Sequence, residues 1–159
     1  MKTLWNWLPS VTDRRVRIAA WASLISQILI IGTGGAVRLT GSGLGCPTWP
    51  RCTEDSFVTT AEMGFHGIIE FGNRLLTFLL IIIAVVMFAF VLRMRKERPE
   101  LFRLSLGLGL GIPGQAVIGG VTVLTDLNPY VVGLHYLLSA VLVGIAAILL
   151  YRVRRGPRQ

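Results

Sequence analysis

The chain has 159 residues, of which 53% are hydrophobic and only 15% are charged, and its mean hydropathy is +0.65. A soluble domain carries about 25% charged residues, so this composition indicates an integral membrane protein with several apolar spans. The net charge of +8 does not indicate nucleic-acid binding, because the basic residues flank the apolar runs and form no stripe along one face.

The first predicted span covers about residues 16–37 and follows a basic cluster formed by Arg14, Arg15 and Arg17. A charged region followed by an apolar one is also typical of a secretory signal peptide. Here the apolar stretch is long, and no A-x-A-like cleavage site follows it. We therefore expect a retained membrane helix.

Three further spans follow, at about residues 61–92, 104–124 and 130–151. The second holds all its strongly polar groups in its first part and is almost free of them from residue 75 onward. The third is rich in glycine, which usually lets membrane helices approach closely; a flat ligand packed on the glycine face is the alternative. We expect an all-α, four-helix membrane bundle that forms a single domain.

The basic residues predict the orientation, because Lys and Arg are enriched in cytoplasmic segments. Thirteen of them lie in the N-terminal segment, in the connection between the second and third spans, and in the tail. The other two connections hold only Arg38 and Arg51. Both termini are therefore predicted to be cytoplasmic, with the loop at residues 38–60 outside.

That outer loop contains the only two cysteines, Cys46 and Cys52, in the run GSGLGCPTWPRC. On the oxidising side of a membrane such a pair is expected to form a disulfide. The C-x5-C spacing matches neither a zinc-finger pair nor a thioredoxin-like C-x-x-C. A structural staple and a redox-active pair both remain open as its role.

Ionisable residues inside spans usually mark a function. Glu70 and Arg74 lie four residues apart on one helix, so they could simply neutralise each other. His66 precedes Glu70 by one turn, and His135 lies about five residues into the fourth span. Both histidines are predicted at similar depth on different helices, an arrangement that ligates heme iron; hydrogen-bonded helix-end histidines are the alternative.

Two arginines are suited to the carboxylates of a heme, because the guanidinium fork binds carboxylates in a bidentate manner. Arg74 lies in the second span and Arg38 at the outer end of the first. Arg38 is equally consistent with a side chain that reaches the membrane interface. Glu70, partly removed from water, is a candidate proton donor or acceptor.

The sequence resembles the heme A synthases over about residues 18–151, and several motifs carry this resemblance. These are GGAVRLTGSGLGCPTWPRC at residues 34–52, IEFGNRL at 69–75, GGVTVLT at 119–125, and His135 with Ser139. The resemblance implies an oxidoreductase of the cell membrane that oxidises a methyl group of heme O to the formyl group of heme A for terminal oxidases.

The resemblance also implies roles for individual residues. Glu70 matches the catalytic glutamate, Cys46 and Cys52 the loop disulfide, and His135 one of the heme-facing histidines. The substrate heme O would lie in this four-helix unit towards the outer face, and the family's second four-helix half holds a heme B cofactor. The electron donor is not identified by these motifs.

Two features depart from the family pattern. Asn73 stands where the family has a histidine in E-x-x-H-R, and His66, two turns earlier on the same face, is the candidate replacement ligand; Asn73 then remains a polar contact. The usual enzyme has eight spans, so this chain is expected either to self-associate or to pair with a second half.

A non-catalytic bis-histidine heme-binding or electron-transfer module in the lipid bilayer is the alternative function.

Overall fold

The computed structural model describes residues 7–155 and contains four long helices. They are α1 (Arg14–Leu39), α2 (Gly64–Leu92), α3 (Pro99–Leu124) and α4 (Pro129–Arg154), and a 3₁₀ turn at Ala61–Met63 leads into α2. No strand occurs among the described residues. At 1.5 Å per residue even the 26-residue helices are roughly 39 Å long, and all four are long and apolar enough to cross a membrane.

The helices form a closed ring in which each one packs against two others. α1 contacts α2 and α4, and α3 contacts the same two helices, while within residues 7–155 the diagonal pairs do not touch. Neighbours in sequence pack against each other and run antiparallel. We call the end with the residue 40–63 connection and the Thr125–Asn128 turn the disulfide end, and the opposite end the basic end.

Local sequence signals define the helix boundaries. The Asp13 carboxylate accepts hydrogen bonds from the backbone N–H groups of Arg15 and Val16 at 2.9 and 3.1 Å, which makes it the N-cap of α1. Pro99 and Pro129 begin α3 and α4, where a missing N–H costs nothing. The backbones of Asp126 and Leu127 both have positive φ, which produces the tight turn between these helices.

The packed core lies in the half of the bundle next to the basic end. Its buried apolar side chains come from the start of α1, the end of α2, the first half of α3 and the second half of α4; they include Val16, Ala20, Met87, Val91, Leu101, Leu108, Ala146 and Leu149. In the other half, the segments 28–39 and 129–141 contribute no buried side chain. Many large apolar side chains are instead exposed, as expected for helices that face lipid.

The predicted all-α bundle of four membrane-spanning helices is confirmed. Three of the helices extend beyond their predicted spans; α3, for example, begins at Pro99, five residues before the predicted span, whereas α2 begins at Gly64, three residues after the predicted start. Only part of the glycine-rich face of α3 is in close contact: Gly111 packs on Leu142, whereas Gly114 has no neighbouring atom within 4 Å of the position of a β-carbon. The cytoplasmic location of the termini stays a prediction.

Candidate functional site

A buried carboxylate lies at the centre of the disulfide end. Glu70, in the second turn of α2, is only 6% exposed. One carboxylate oxygen, Oε2, accepts a hydrogen bond from the backbone N–H of Cys46 at 2.7 Å. The other, Oε1, accepts from the Arg74 guanidinium at 2.5 Å. Both oxygens therefore have a donor, which offsets the cost of removing this group from water.

Arg74 joins the same carboxylate to two backbone carbonyls of the outer loop. Its Nη2 also donates to the carbonyl oxygen of Cys46 at 3.0 Å, and its Nη1 donates to that of Arg51 at 3.1 Å. The planar fork of the guanidinium makes three simultaneous contacts possible. The Glu70–Arg74 pair therefore holds the loop on both sides of its disulfide, beyond the mutual neutralisation that the four-residue spacing suggested.

The expected disulfide between Cys46 and Cys52 is present, and both cysteines are completely buried. The loop that it closes lies over two helices. Gly45 lies so close to the backbone of His66 in α2 that a β-carbon there would overlap its carbonyl group. The indole of Trp49 lies against Gly120 of α3 at a similarly short distance. The loop therefore packs on α2 and on α3, and glycine is required at both contacts.

His66 lies at the edge of this cluster and is exposed. Its Nδ1 hydrogen-bonds with the hydroxyl of Ser42 at 2.8 Å, and Ser42 itself is fully buried between the loop and the helix ends. Ser42 also bonds with Thr40 at 2.7 Å. This chain of contacts fixes the ring through Nδ1, so that Nε2 is the nitrogen available to a ligand.

His135 lies on the opposite side of the bundle and is half-buried. Its ring packs against Gly119 of α3, where a β-carbon would come within 3.2 Å of Cε1. Its Nδ1 is buried and has no hydrogen-bond partner among residues 7–155. The backbone carbonyl of His135 accepts from Gln115 Nε2 at 3.1 Å and from Ser139 Oγ at 2.9 Å. This histidine is thus positioned by its backbone while its ring is left available.

The two remaining predicted contacts lie apart from this cluster. Asn73 is half-buried, and its Oδ1 accepts a hydrogen bond from the hydroxyl of Thr33 on α1 at 2.7 Å. Arg38 is exposed at the end of α1, and its side chain makes no hydrogen bond or ion pair within the described part of the chain. Its guanidinium is therefore free for an anionic partner.

The structure thus brings Glu70, Arg74 and the disulfide into one hydrogen-bonded cluster and links His66 to its edge. His135 belongs to a separate group on α3 and α4, together with Gln115 and Gly119. Sequence reasoning did not identify Gln115, Ser42 or Thr33. Of these, Gln115 carried a signal, because an amide inside a membrane span is rare and needs a partner.

Comparison with known proteins gives a consistent set of relatives. The family model COX15-CtaA, described as cytochrome oxidase assembly protein, matches residues 17–159. Heme A synthase of Geobacillus thermodenitrificans is 30% identical over 148 residues, which cover 91% of this chain and 46% of the relative. Heme A synthases of Geobacillus kaustophilus and Symbiobacterium thermophilum are 28% and 26% identical, again over 91% of this chain and 46% and 47% of the relatives.

The chain therefore spans about half the length of the curated relatives it matches. No solved structure matches it at a significant level.

Proposed function

The chain belongs to the COX15-CtaA family of cytochrome oxidase assembly proteins, and on that premise we propose that it is a heme A synthase-type oxidoreductase. Its substrate is heme O, whose methyl group it oxidises towards the formyl group of heme A. The observation that carries the proposal is the carboxylate of Glu70, buried beneath the disulfide loop with a hydrogen-bond donor on each oxygen.

Glu70 is the proposed acid/base group. Oxidation of a methyl group to a formyl group with water as the oxygen source follows R–CH₃ + H₂O → R–CHO + 4 H⁺ + 4 e⁻, so protons must be accepted at the site and electrons passed to a redox partner. A carboxylate held between the Cys46 N–H and the Arg74 guanidinium has a fixed position, and release of either contact exposes an oxygen that can accept a proton. Arg74 in turn supplies a positive charge that stabilises the ionised form.

The two histidines and their surroundings fit a heme iron. The imidazole of His135 makes no hydrogen bond among the described residues, and it lies on the glycine surface of α3. His66 is the proposed second ligand, and Asn73 is a polar contact, because an amide is a poor ligand for iron. Arg38, exposed and without a partner in the described chain, is suited to a heme propionate. A heme B cofactor would be held by the same kinds of side chain, histidine at the iron and arginine at a propionate, and would supply redox chemistry.

We further propose that the protein lies in the cell membrane with both termini in the cytoplasm and the heme site towards the outer face. The relatives are about twice as long, so we propose that the working unit contains a second half in addition to this four-helix unit, for example a second copy of it. An electron-transfer partner is also required, because oxidation of the methyl group releases electrons.

The experiment that tests the function is the heme profile of the protein purified from a host that supplies heme O. Extraction and chromatography should yield heme A or its partly oxidised alcohol. Glu70→Gln should retain bound heme and lose the oxidised product. Glu62→Gln, at an exposed glutamate of the neighbouring 3₁₀ turn, is the matched control and should leave the product unchanged. Unchanged product in Glu70→Gln would remove the catalytic role of Glu70.

The ligand assignment is tested by absorption spectra of the same preparations. His135→Ala should alter the heme spectrum, and an unaltered spectrum would exclude His135 as a ligand. His66→Ala should be more damaging to heme binding than Asn73→Ala. The reverse order would refute the replacement of the family histidine by His66.

A further inference from the structure

Two complementary polar atoms belong to residues that contact each other between α3 and α4. Oε1 of Gln115 and Nδ1 of His135 are both buried, and neither has a hydrogen-bond partner among residues 7–155. The two residues are already in contact, because Nε2 of Gln115 donates to the backbone carbonyl of His135 at 3.1 Å. Buried polar groups are nearly always paired, so two unpaired atoms on contacting residues call for a common explanation.

The existing contact determines which atom of the amide is the acceptor. A backbone carbonyl only accepts hydrogen bonds, so the group of Gln115 that faces it must be the NH₂ group. The oxygen of the amide is therefore the unpaired atom and needs a donor. A neutral histidine has one N–H and one bare nitrogen, and only the tautomer with the proton on Nδ1 offers that donor here.

We propose that Gln115 is a positioning residue for His135: its Oε1 accepts the Nδ1–H of the imidazole, directly after a small rotation of the amide or through one water molecule. The tautomer so selected has a free lone pair on Nε2. In the context of the proposed function, on which this role rests, Nε2 is the nitrogen presented to iron. Histidine ligands commonly donate their second N–H to an acceptor that fixes ring orientation and raises basicity.

The surroundings of the ring support this role. Gly119 lies one turn after Gln115 on α3, and the imidazole packs directly on it, with Cε1 only 3.2 Å from the position of a β-carbon. Ser139 donates to the same His135 carbonyl at 2.9 Å. The ring is therefore confined by α3 on one side, and its backbone is held from two directions, which leaves the tautomer as the property that Gln115 controls.

The decisive measurement is the tautomer of His135 in the protein without heme, by ¹⁵N NMR of histidine-labelled protein in detergent micelles at mildly alkaline pH. The chain contains only two histidines, so a His66→Gln variant assigns the signals. We expect a protonated Nδ1 and a bare Nε2 for His135. A protonated Nε2 in the wild-type protein would overturn the proposal, and this result does not depend on whether any variant folds.

Substitution then tests the role of the amide itself. Gln115→Leu should shift the population of His135 towards the tautomer with the proton on Nε2, because leucine offers no acceptor to Nδ1. Gln27→Leu, at a buried glutamine of α1 that also has an unpaired amide group within the described chain, is the matched control and should leave the tautomer unchanged. An unchanged tautomer in Gln115→Leu would refute the positioning role.

Heme binding separates this inference from the proposed function. With heme added, Gln115→Leu should weaken binding by about tenfold or more, as loss of such outer partners does at other metal sites, and should lower the iron–histidine stretching frequency. If the wild-type protein binds no heme while the NMR result holds, the proposed function fails and the role of Gln115 in selecting the tautomer stands. Unaltered heme affinity in Gln115→Leu would refute its effect on the ligand.

Discussion

Replacement of Arg74 by methionine tests how the disulfide loop is held. The change removes the ionic partner of Glu70 and the hydrogen bonds to the carbonyls of Cys46 and Arg51. Glu70 is then left buried with a single donor, the N–H of Cys46. Breaking a buried ion pair by removal of one partner costs about 3–5 kcal/mol. The Arg74 side chain is 19% exposed, so we expect the lower end, about 3 kcal/mol of unfolding free energy.

Arg74→Lys separates charge from geometry. A lysine ammonium can still pair with Glu70, but it lacks the planar fork that reaches two carbonyls at the same time. Two lost hydrogen bonds at roughly 1 kcal/mol each predict a destabilisation of about 2 kcal/mol. The double variant Glu70→Gln/Arg74→Met leaves no buried charge at this site and should be about 1–2 kcal/mol more stable than Arg74→Met alone.

The assay is reversible unfolding in mixed detergent micelles with increasing dodecyl sulfate, followed by circular dichroism. Arg38→Met is the matched control, because this exposed arginine has no partner in the described chain, and it should change stability by less than about 0.5 kcal/mol. Equal losses for Arg74→Lys and Arg74→Met, or losses below about 1 kcal/mol for both, would refute the fork as the holding element.

Three further predictions concern the loop and the helix ends. Cys46→Ser opens the short loop that the disulfide closes and should lower the unfolding free energy by about 2 kcal/mol relative to the wild type without reductant. Reductant opens the same loop in the wild type, so a difference of equal size between the two proteins under reducing conditions would contradict this. Gly120→Ala should displace the indole of Trp49, which should red-shift the tryptophan emission and destabilise the fold by about 1–3 kcal/mol. Gly107→Ala is the control and should show neither effect, because no neighbouring atom lies within 4 Å of the position of its β-carbon. Asp13→Ala should remove the N-cap of α1 and cost about 1 kcal/mol at neutral pH.

The effect of Asp13 should depend on pH in a defined direction. Partial burial raises the pKa of this carboxyl, but hydrogen bonds from Val16 and Arg15 and the charge of Arg15 outweigh it, so its pKa lies below the ordinary value. A group with a lowered pKa in the folded state stabilises the fold above its unfolded pKa and loses that contribution as the pH falls through the folded pKa. The difference between wild type and Asp13→Ala in thermal unfolding should therefore be full at neutral pH and vanish in strong acid; a difference that persists there would contradict the assignment.

The sequence was sufficient for the helices, because long apolar runs have few alternatives in a membrane protein. It placed the start of α3 at residue 104, whereas the helix begins at Pro99. The extra turn contains Glu100 and Arg103, which interrupt an apolar pattern without interrupting backbone hydrogen bonds. Composition therefore defines the apolar portion of a helix, and proline or capping residues define its ends.

Within the site, the pairing of Glu70 with Arg74 followed from their spacing, and the disulfide followed from cysteine count. The contacts of both side chains to the backbone of Cys46 did not, because they depend on how an irregular loop folds over α2. The amino-acid sequence does not show which backbone N–H or carbonyl group a side chain will bond. Gln115 carried a signal as an amide inside a span, but its partner, the carbonyl of His135, could not be predicted because it is also a backbone group.

The position of the packed core has a consequence for how a large planar molecule could enter. The buried apolar side chains of this core hold the four helices together near the basic end. At the disulfide end, the contacts come mainly from the disulfide loop and from Glu70 and Arg74, which hold it. Free energies of local opening follow the density of packed contacts. Separation of the helices at the disulfide end should therefore occur while the rest of the bundle stays assembled, and hydrogen–deuterium exchange should be faster in residues 28–39 and 129–141 than in residues 80–91 and 142–153.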